Sequence, residues 1–430
     1  MKKILVVSDF DGTINRKDLG EEFGKVIENY ADLKDKFFRN SLSAPDVYRS
    51  ILDIEGLSFG VIRDFYVNQA VIDEHFVPFL DYVNRSEIVH VIVSDGFDLL
   101  IEETLRKHGI EDGLCIFANT MRDNGNKVFM GFPFQDSECS FSGVCKKKII
   151  KALRPYFDRI IYIGNGYSDI DAVPEVDVVF ARSMLKSYCD EHKIPSFRYD
   201  DYGDIVKKIS RQYRGVIFDL DGTLIDSFSA IYESFNVTMD ALGLRQYSYG
   251  DVMKTIGLPL EDVMRTIDGV ADPVHAVEIF RSHYQEIYLK KTTLLHGVEE
   301  VIRQLYNEGY LLGVSTNKLG KYSRSLLEHL GIGKYFRQVV GIGDGLRSKP
   351  YPDTIETILS GFGLPKDDVV YIGDSLIDAQ AAAQAGIRFI GVATGPARYE
   401  ELSGANAEVV LDRFSRLPIY VNPLGEETRQ

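Results

Sequence analysis

The feature that most constrains this chain is a pair of aspartates that follows a short apolar run, and it occurs twice. In the first copy, KKILVV precedes SDFDGTI, which contains Asp9 and Asp11. In the second copy, VIFDLDGTL contains Asp219 and Asp221. A short and continuously apolar run is typical of a strand buried on both faces of a parallel sheet. Each pair therefore marks the end of a buried strand, and the repeat indicates two similar folding units.

Apolar strand patterns alternate with helical patterns along the rest of each half. The first half contains VHVIVSD, RIIYIGN and VDVVFA, and the second contains YLLGVST, VVYIGD and RFIGVAT. This alternation predicts an α/β fold of two tandem Rossmann-like domains, each with a doubly wound parallel sheet. We expect one module over 1–212 and another over 213–430. Helical stretches at about 16–85 and 227–295 predict a helical cap after the first strand of each module.

Composition narrows the class of protein. The 430 residues exceed one ordinary core, and a net charge of −15 argues against nucleic acid as a partner. No apolar run is long enough for a membrane span, so we expect no membrane partner. Four cysteines are too few for a disulfide framework, which favours a reducing, cytoplasmic compartment. Cys139 and Cys145 lie close together, but no second Cys or His pair at zinc spacing follows them.

Polar residues follow four strand patterns of the second half in a fixed order. Because the carboxyl ends of parallel strands meet at one edge of the sheet, we expect these residues to share one crevice. Clustered carboxylates repel one another unless a cation lies among them, and Mg²⁺ prefers oxygen ligands. A hydroxyl and a lysine suit an anion beside that metal, with phosphate as the natural candidate. The residues are Asp219, Asp221, Thr316, Lys349, Asp374 and Asp378.

The first half repeats this order with one departure. After Asp9 and Asp11 come the hydroxyl of Ser94, a lysine in SGVCKKKII and the motif GNGYSDIDA. Lys146 is the best candidate for the lysine, with Lys147 and Lys148 as alternatives. The late motif places Asn165 where the second half has a carboxylate, and it keeps Asp169, with Asp171 nearby. Asparagine still offers a neutral oxygen to Mg²⁺, but one negative charge is lost.

The order DxDGT, Ser or Thr, Lys and GDxxxD resembles the haloacid dehalogenase superfamily of phosphatases over nearly the whole chain. The resemblance implies that the first aspartate, Asp9 or Asp219, attacks phosphorus and becomes an aspartyl phosphate. It implies that Asp11 or Asp221 protonates the leaving oxygen and then activates water. Dehalogenases of this superfamily lack an aspartate at that second position, so both halves favour phosphoryl transfer.

The resemblance also implies one Mg²⁺ ion per module. The nucleophile carboxylate, the backbone carbonyl of the second aspartate and the late motif would hold the ion. The expected phosphate-binding residues are Ser94 and Lys146 in module 1 and Thr316 and Lys349 in module 2. The expected metal ligands are Asp9, Asp11, Asn165 and Asp169 in module 1, and Asp219, Asp221, Asp374 and Asp378 in module 2.

Each half is similar to a different branch of the superfamily. SDGFD, Gly-x-Cys-Lys and the tail VVFARSML are similar to the phosphoserine-phosphatase branch, and closest to the phosphatase of 2-hydroxy-3-keto-5-methylthiopentenyl-1-phosphate. In the first cap, Asp18 stands near the position where phosphoserine phosphatases keep a substrate-contacting glutamate, and a helix N-terminal acid is the alternative. FDLDGTLIDS, SKPYPD and GDSLIDAQAAAQAG resemble the phosphoglycolate-phosphatase and pyrophosphatase-like branch.

The sequence therefore predicts a bifunctional, Mg²⁺-dependent phosphatase that acts on small phosphorylated metabolites. One alternative is a working second module with a first module that only binds a ligand, and Asn165 motivates it. Another is a sugar-phosphate phosphomutase, which shares the aspartate pair. A purely structural protein would require all landmarks of the second half to be accidental. The sequence does not indicate an oligomeric state.

Overall fold

The computed structural model describes residues 3–25, 27, 30–39, 42–52, 58–110, 113–124, 128–139 and 142–425. The chain folds into two compact units. Module 1 comprises Met1–His192 with Ser196–Ser210, and module 2 comprises Lys193–Pro195 with Arg211–Gln430. Both are α/β units built on parallel sheets, which confirms the predicted fold class. None of the described helices is long and apolar enough to cross a membrane.

Module 1 is built on a seven-stranded sheet in the order β4-β3-β2-β1-β5-β6-β7. All neighbouring strands are parallel except β3 and β4, which form an antiparallel edge hairpin that the sequence analysis did not predict. The strands are β1 (Ile4–Ser8), β2 (Val89–Phe97), β3 (Cys115–Asp123), β4 (Val128–Gly131), β5 (Arg159–Gly164), β6 (Val178–Ala181) and β7 (Phe197–Arg198).

Helices cover this sheet and form the cap between β1 and β2. The cap begins at α1, whose N-cap Asp18 accepts a hydrogen bond from the Glu21 amide. The helices are α1 (Leu19–Gly24), α2 (Tyr30–Phe38), α3 (Ala44–Leu52), α4 (Phe59–Gln69), α5 (Phe76–Arg85), α6 (Asp98–Lys107), α7 (Lys146–Leu153), α8 (Ser183–Glu191) and α9 (Tyr202–Ile209), with 3₁₀ segments at Ser137–Cys139, Arg154–Tyr156 and Tyr167–Glu175.

A disulfide joins Cys139 to Cys145 in module 1. The sequence analysis did not predict this pair, because four cysteines are too few for a disulfide framework. Cys145 is buried and directly precedes α7, so the disulfide closes the loop that leads into this helix. A count of cysteines cannot reveal such a pair, because only the fold brings the two sulfur atoms together.

Module 2 is built on a six-stranded parallel sheet in the order β12-β11-β8-β13-β14-β15. A separate antiparallel pair, β9 with β10, lies where the chain enters and leaves the second cap. The strands are β8 (Gly215–Phe218), β9 (Ile225–Asp226), β10 (Thr293–Leu294), β11 (Leu311–Leu319), β12 (Gln338–Ile342), β13 (Val369–Gly373), β14 (Arg388–Val392) and β15 (Val410–Leu411).

The second cap contains four helices, and six more cover the sheet. Ser375 caps α17 by accepting a hydrogen bond from the Asp378 amide. The helices are α10 (Phe228–Ala241), α11 (Tyr249–Met253), α12 (Leu260–Thr266), α13 (Pro273–Lys291), α14 (Val298–Asn307), α15 (Gly320–His329), α16 (Asp353–Phe362), α17 (Leu376–Ala385), α18 (Tyr399–Gly404) and α19 (Leu417–Val421), with 3₁₀ segments at Gly333–Tyr335, Lys366–Asp368 and Phe414–Arg416.

The central strand of each sheet positions the site. In module 1, β1 is fully buried between β2 and β5, because its residues are apolar on both faces. In module 2, β8 lies between β11 and β13 and is equally buried. The carboxyl ends of three adjacent parallel strands therefore meet beside each aspartate pair.

Candidate active sites

The aspartate pair of module 2 begins directly after β8. Asp219 is 5% exposed and Asp221 is 8% exposed. The Asp219 amide donates a hydrogen bond to the Ile372 carbonyl at 2.9 Å, which continues the pairing of β8 with β13. Gly222 then turns the chain with φ of +87°, and a Cβ there would lie 2.4 Å from an Asp374 oxygen. Only glycine suits this position, because both the backbone conformation and the approach of Asp374 exclude a side chain.

Lys349 connects two carboxylates at the base of this site. Its buried Nζ lies 2.6 Å from Asp219 Oδ1 and 2.6 Å from Asp378 Oδ1. The Tyr371 hydroxyl and the Ser315 carbonyl lie 3.0 Å and 3.2 Å from the same nitrogen. Burial raises the pKa of Asp219 to about 7 even though the Lys349 ammonium acts to lower it. The lysine thus fixes the orientation of the first aspartate.

Asp374 completes a carboxylate group at the same edge of the sheet. Ligand oxygens of Asp219, Asp374 and Asp378 all lie within 4.8 Å of one another. Burial, followed by the charges of the other two carboxylates, raises the pKa of Asp374 well above its ordinary value. A Cβ at Gly395 would lie 1.5 Å from Asp374 Oδ2, so any side chain at position 395 would clash with this carboxylate. The three candidate ligand atoms are all carboxylate oxygens, which suit a hard divalent cation.

The hydroxyl predicted to bind phosphate lies on β11. Thr316 is buried beside the aspartate pair and lines the same cavity. Lys318, two residues further along, extends into this cavity and places Nζ 2.7 Å from Asp221 Oδ1. The Ser227 hydroxyl donates to the same oxygen. The sequence analysis missed Lys318, although the two-residue period of a strand could have placed it on the face of Thr316.

Module 1 repeats the base of this site around Lys146. Its Nζ is buried, 2.8 Å from Asp9 Oδ1 and 2.5 Å from Asp169 Oδ1. The Tyr162 hydroxyl donates to Asp169 Oδ1 at 2.6 Å. Burial raises the pKa of Asp9 to about 7, and the charge of Lys146 partly opposes this rise. The arrangement matches that of Lys349, Asp219 and Tyr371 in module 2.

The three lysines of the KKK run are separated by the structure. Lys146 is the one that reaches the aspartates. Lys147 pairs with Glu138 at 3.1 Å, and Lys148 pairs with Asp136. Of the three candidates, Lys146 is therefore the one whose ammonium lies beside the aspartate pair.

The second aspartate of module 1, Asp11, lies close to two other carboxylates. Burial, together with the charges of Asp18 and Asp9, raises the pKa of Asp11 well above its ordinary value. The Asn15 amide donates to Asp11 Oδ1 at 3.4 Å. A raised pKa favours the protonated form of this carboxyl group, which is the form that can give a proton to a leaving oxygen.

Asn165 occupies in module 1 the place that Asp374 occupies in module 2. Its Oδ1 accepts a hydrogen bond from Thr13 Oγ1 at 2.9 Å, as Asp374 Oδ1 does from Thr223 Oγ1 at 2.6 Å. A Cβ at Gly12 would lie 2.1 Å from Asn165 Nδ2. The Asn165 amide therefore contacts the loop that follows Asp11, as the Asp374 carboxylate contacts the loop that follows Asp221 in module 2.

The remaining predicted residues line a larger cavity. Ser94 is buried at the end of the β2 apolar run and accepts a hydrogen bond from the Gly96 amide at 3.0 Å. Asp95 accepts from the amides of Gly143 and Val144 at 2.7 Å and 2.9 Å, which holds the loop before Lys146. Asp18 lines this cavity and, as the N-cap of α1, also fits its alternative role.

The two cavities differ in size and lining. The module 1 cavity has a volume of about 410 Å³, and its walls are largely aromatic and aliphatic. The module 2 cavity has a volume of about 110 Å³. The apolar lining of the first includes Phe23, Phe37, Val47, Tyr48, Ile51, Ile62, Tyr66, Phe97, Leu100, Met121 and Met130. The two modules therefore combine cavities of different size with similarly arranged lysine and aspartate side chains.

Two sequence profiles of haloacid dehalogenase-like hydrolases match the chain, one over residues 6–173 and one over 216–392. Phosphoglycolate phosphatase of Pectobacterium atrosepticum is 34% identical over 209 residues, which are 47% of this chain and 89% of that enzyme. Pyrophosphatase PpaX of Listeria monocytogenes is 34% identical over 207 residues, which are 47% of this chain and 93% of that enzyme.

A solved structure titled as a predicted phosphatase from Clostridium acetobutylicum is 28% identical, with a TM-score of 0.46, and covers 50% of this chain and 100% of its own. The two profile matches lie one in each half of the chain, and the two relatives match along most of their own length. The chain therefore belongs to the haloacid dehalogenase-like hydrolases and is a phosphatase of that family.

Proposed function

We propose that each module hydrolyses phosphomonoesters of small metabolites in a Mg²⁺-dependent reaction, so that the chain is bifunctional. One observation carries this proposal. In each module a buried lysine bridges the first aspartate of the pair and the late aspartate, as Lys146 and Lys349 do. A buried lysine with two carboxylate partners keeps its charge and its position, which a dianionic phosphoryl group requires.

The first aspartate is the proposed nucleophile. A carboxylate oxygen of Asp9 or Asp219 forms a bond to phosphorus while the bond from phosphorus to the leaving oxygen breaks. Asp11 or Asp221 gives its proton to that oxygen. The same residue then takes a proton from water, whose oxygen attacks phosphorus and breaks the aspartyl phosphate bond. Inorganic phosphate leaves, and both carboxyl groups return to their first state.

The carboxylate group of module 2 is the proposed metal site. Asp219, Asp374 and Asp378 would hold Mg²⁺ together with the backbone carbonyl of Asp221. In module 1, Asp9, Asn165 and Asp169 would serve with the carbonyl of Asp11. The ion supplies charge that offsets the negative phosphoryl oxygens. The mutual repulsion that raises the pKa of Asp374 supports this role, because a cation would relieve it.

The cavities support different substrates for the two modules. The 110 Å³ cavity of module 2 suits a compact phosphate ester, and relatives named phosphoglycolate phosphatase and pyrophosphatase act on compounds of that size. The 410 Å³ cavity of module 1 suits a larger and mainly apolar organic group. Ser94 and Thr316 are the proposed hydroxyl donors to the phosphoryl oxygens. Asp18 is a proposed contact for a polar substrate group.

Phosphate release from a panel of metabolite phosphates tests this proposal. We compare the wild type with Asp9→Asn, Asp219→Asn and the double variant, all with Mg²⁺. Asparagine keeps the shape but removes the nucleophilic oxygen, so each single variant should lose a different set of substrates. The double variant should lose all of them. Phosphate release that persists in the double variant would contradict the proposed nucleophiles.

The same panel separates the alternatives. If Asp9→Asn changes no activity, module 1 has a ligand-binding role, which the Asn165 substitution would explain. If phosphorus NMR shows phosphate moving between positions of one sugar, the reaction is that of a phosphomutase. Chelation of Mg²⁺ should abolish both activities, and restored Mg²⁺ should return them.

A further inference from the structure

Arg182 is a cation beside the module 1 site that the proposed chemistry does not use. It directly follows β6, the strand that pairs with β5 in the sheet. Its Nε donates a hydrogen bond to the Gly12 carbonyl at 2.9 Å. Its Nη2 donates to the same carbonyl and to the Thr13 carbonyl at 3.2 Å. Arg182 therefore binds the main chain of residues 9–15, the aspartate loop, which carries Asp9 and Asp11.

Further contacts hold the rest of the Arg182 guanidinium. Its Nη1 donates to the Asp200 carbonyl at 3.0 Å, and its Cζ lies 5.1 Å from the centre of the Tyr199 ring. Tyr199 is buried, and its hydroxyl donates to the Gly164 carbonyl at the end of β5 at 3.3 Å. A guanidinium is planar and presents its N–H groups in a fixed fork. Contacts along its edge and on its face therefore hold Arg182 in one orientation toward the aspartate loop.

The peptide between Gly12 and Thr13 directly follows Asp11. Its carbonyl accepts from Arg182, and its N–H donates to the Phe10 carbonyl at 3.1 Å. Because both polar groups of this peptide are bound, its plane is fixed, and the direction in which Asp11 leaves the loop depends on that plane. Without the guanidinium, the carbonyl end of the peptide would lose both hydrogen bonds that orient it.

The same loop contacts the late motif less firmly in module 1 than in module 2. The Thr13 hydroxyl donates to the amide oxygen of Asn165 at 2.9 Å. The Thr223 hydroxyl donates to a carboxylate oxygen of Asp374 at 2.6 Å. A hydrogen bond to a charged acceptor is roughly twice as strong as one between neutral groups. The hydrogen bonds of Arg182 to the loop therefore offset a weaker contact on its other side.

Module 2 binds the equivalent carbonyl with a neutral side chain. Thr394 lies two residues after β14, and its hydroxyl donates to the Gly222 carbonyl at 2.6 Å. β14 has the same place in its sheet as β6 has in module 1. In both modules the carbonyl of the glycine after the second aspartate is therefore bound from the same neighbouring strand. Because an arginine and a threonine serve the same carbonyl, the contact is better explained by the site than by the packing of one sheet.

We infer that Arg182 is a positioning residue of module 1, which fixes the peptide after Asp11 and through it the direction of that carboxyl group. The same contact keeps Thr13 within reach of Asn165. Among the described residues, the hydrogen bonds of the guanidinium all end on main-chain carbonyls, so Arg182 acts through the loop and not on the substrate. The inference rests on the proposed function, because it takes Asp9 and Asp11 as the reacting pair.

Steady-state kinetics of the full chain test this role on the substrates that Asp9→Asn loses, because these substrates report module 1. Arg182→Met removes every donor but keeps an apolar stem against Tyr199. It should lower kcat about 10- to 100-fold, as a misplaced reacting group does, and should leave KM within about threefold. It should also raise the half-saturating concentration of Mg²⁺, because the carbonyl of Asp11 is a proposed ligand. Substrates that report module 2 should be hydrolysed at an unchanged rate in the same samples.

A second variant and a matched control separate positioning from a general loss of stability. Arg182→Ala leaves space for a free guanidinium ion, which at low concentration should restore part of the lost kcat, whereas methylammonium, which lacks the fork, should restore less. Arg198→Ala is the control, because Arg198 is exposed on β7 opposite Ala181 and should keep the wild-type kcat. Circular dichroism shows whether each variant is folded, and either folded Arg182 variant is sufficient for the test.

Trifluoroberyllate tests the loop without turnover, because with Mg²⁺ it forms an adduct with an aspartate carboxylate. The adduct is followed by fluorine NMR in an Asp219→Asn background, where module 2 has no first aspartate to form it. Adding Arg182→Met to this background should weaken the adduct at Asp9 by about tenfold or more. Adding Arg198→Ala should leave its affinity unchanged.

A folded Arg182 variant with the wild-type kcat and adduct affinity would overturn the inference, and so would an equal loss in Arg198→Ala. If no substrate depends on Asp9 but the adduct depends on Arg182, the proposed hydrolysis by module 1 fails and the positioning role stands. If Asp9-dependent phosphate release is unaffected by the loss of Arg182, the hydrolysis stands and the positioning role fails. A wild type that shows neither release nor adduct would overturn both.

Discussion

Asn165→Asp is the substitution that most directly tests the proposed metal site of module 1. Asn165 and Asp374 occupy equivalent places, each accepting a hydrogen bond from the threonine of its aspartate loop. The side chains have nearly the same shape, so the change adds a negative charge without adding volume. We expect the variant to bind Mg²⁺ more tightly than the wild type does.

The size of the effect can be worked from the module 2 geometry. Its three carboxylates have ligand oxygens within 4.8 Å of one another. With an effective dielectric constant of about 20, each neighbouring charge at that distance repels a new one by about 3.5 kcal/mol. Mg²⁺ at about 2.1 Å attracts it by about 16 kcal/mol on the same scale. The repulsions act with and without the ion, so only dehydration of the ion and of the new carboxylate offsets this attraction. About 2–4 kcal/mol then remain, or roughly 30- to 1,000-fold in affinity.

The assay is a Mg²⁺ titration of the full chain in an Asp219→Asn background, which silences the proposed second activity. Phosphate release and calorimetry both report the half-saturating concentration of Mg²⁺. Without metal the extra charge meets only other carboxylates, so the variant should unfold at a lower temperature in a chelator than the wild type. Asp171→Asn is the control, because Asp171 is exposed in the same motif. Unchanged or weaker Mg²⁺ binding by a folded Asn165→Asp variant would refute the reasoning.

For three further substitutions, the structure determines the direction of the expected effect. Cys139→Ser removes the disulfide before Lys146 and should lower phosphate release by module 1, while the second activity, measured in the same samples, stays unchanged. Burial lowers the pKa of His90 from 6.5 to about 3, so the unfolded chain binds a proton more readily than the folded one between these values. The free energy of unfolding should therefore decrease as the pH falls below 6.5, by about 2 kcal/mol at pH 5. His90→Phe should weaken this pH dependence of the free energy of unfolding, measured by urea denaturation. The control His192→Asn, which changes an exposed histidine, should leave it unchanged. Gly222→Ala should abolish the second activity, because its φ of +87° and the contact with Asp374 exclude a Cβ; a fully active variant would contradict that role.

The repeated order of motifs was sufficient to predict the fold and the convergence of the site. Apolar runs that end in Asp9 and Asp219 had to be central strands, and the residues after neighbouring strands had to meet them. The strand ends could be placed because their location is determined by local pattern. Lys146 was preferred among three neighbouring lysines, and the structure places its Nζ beside Asp9 and Asp169.

Features that depend on packing between distant segments could not be predicted in this way. The pairing of Lys318 with Asp221 requires knowing how far β11 continues past Thr316. The cavity volumes depend on how the cap helices pack. Apolar periodicity indicates which face of a helix is buried, but it does not determine the position of that helix relative to its neighbours. The tyrosine beneath each late aspartate was recoverable, since Tyr162 and Tyr371 stand at the same offset before their glycines in RIIYIG and VVYIG.

The strand beside the aspartate pair ends differently in the two modules. Module 1 has Ser94, Asp95 and Gly96 where module 2 has Thr316, Asn317 and Lys318. Together with Asn165, module 1 therefore lacks one carboxylate and one ammonium of module 2 and gains the carboxylate of Asp95. Asp95 accepts hydrogen bonds from the loop before Lys146, so this charge also lies close to the site.

The buried base of the module 1 site is retained. Lys146 keeps both of its carboxylate partners, with Nζ 2.8 Å from Asp9 Oδ1 and 2.5 Å from Asp169 Oδ1. A buried charge that loses its partner is strongly destabilising, so this group of three charges is stable only while it stays complete. Asn165→Asp therefore adds one carboxylate to an intact base and should gain Mg²⁺ affinity. Asn165→Asp with Gly96→Lys should gain less, because the added ammonium repels the ion.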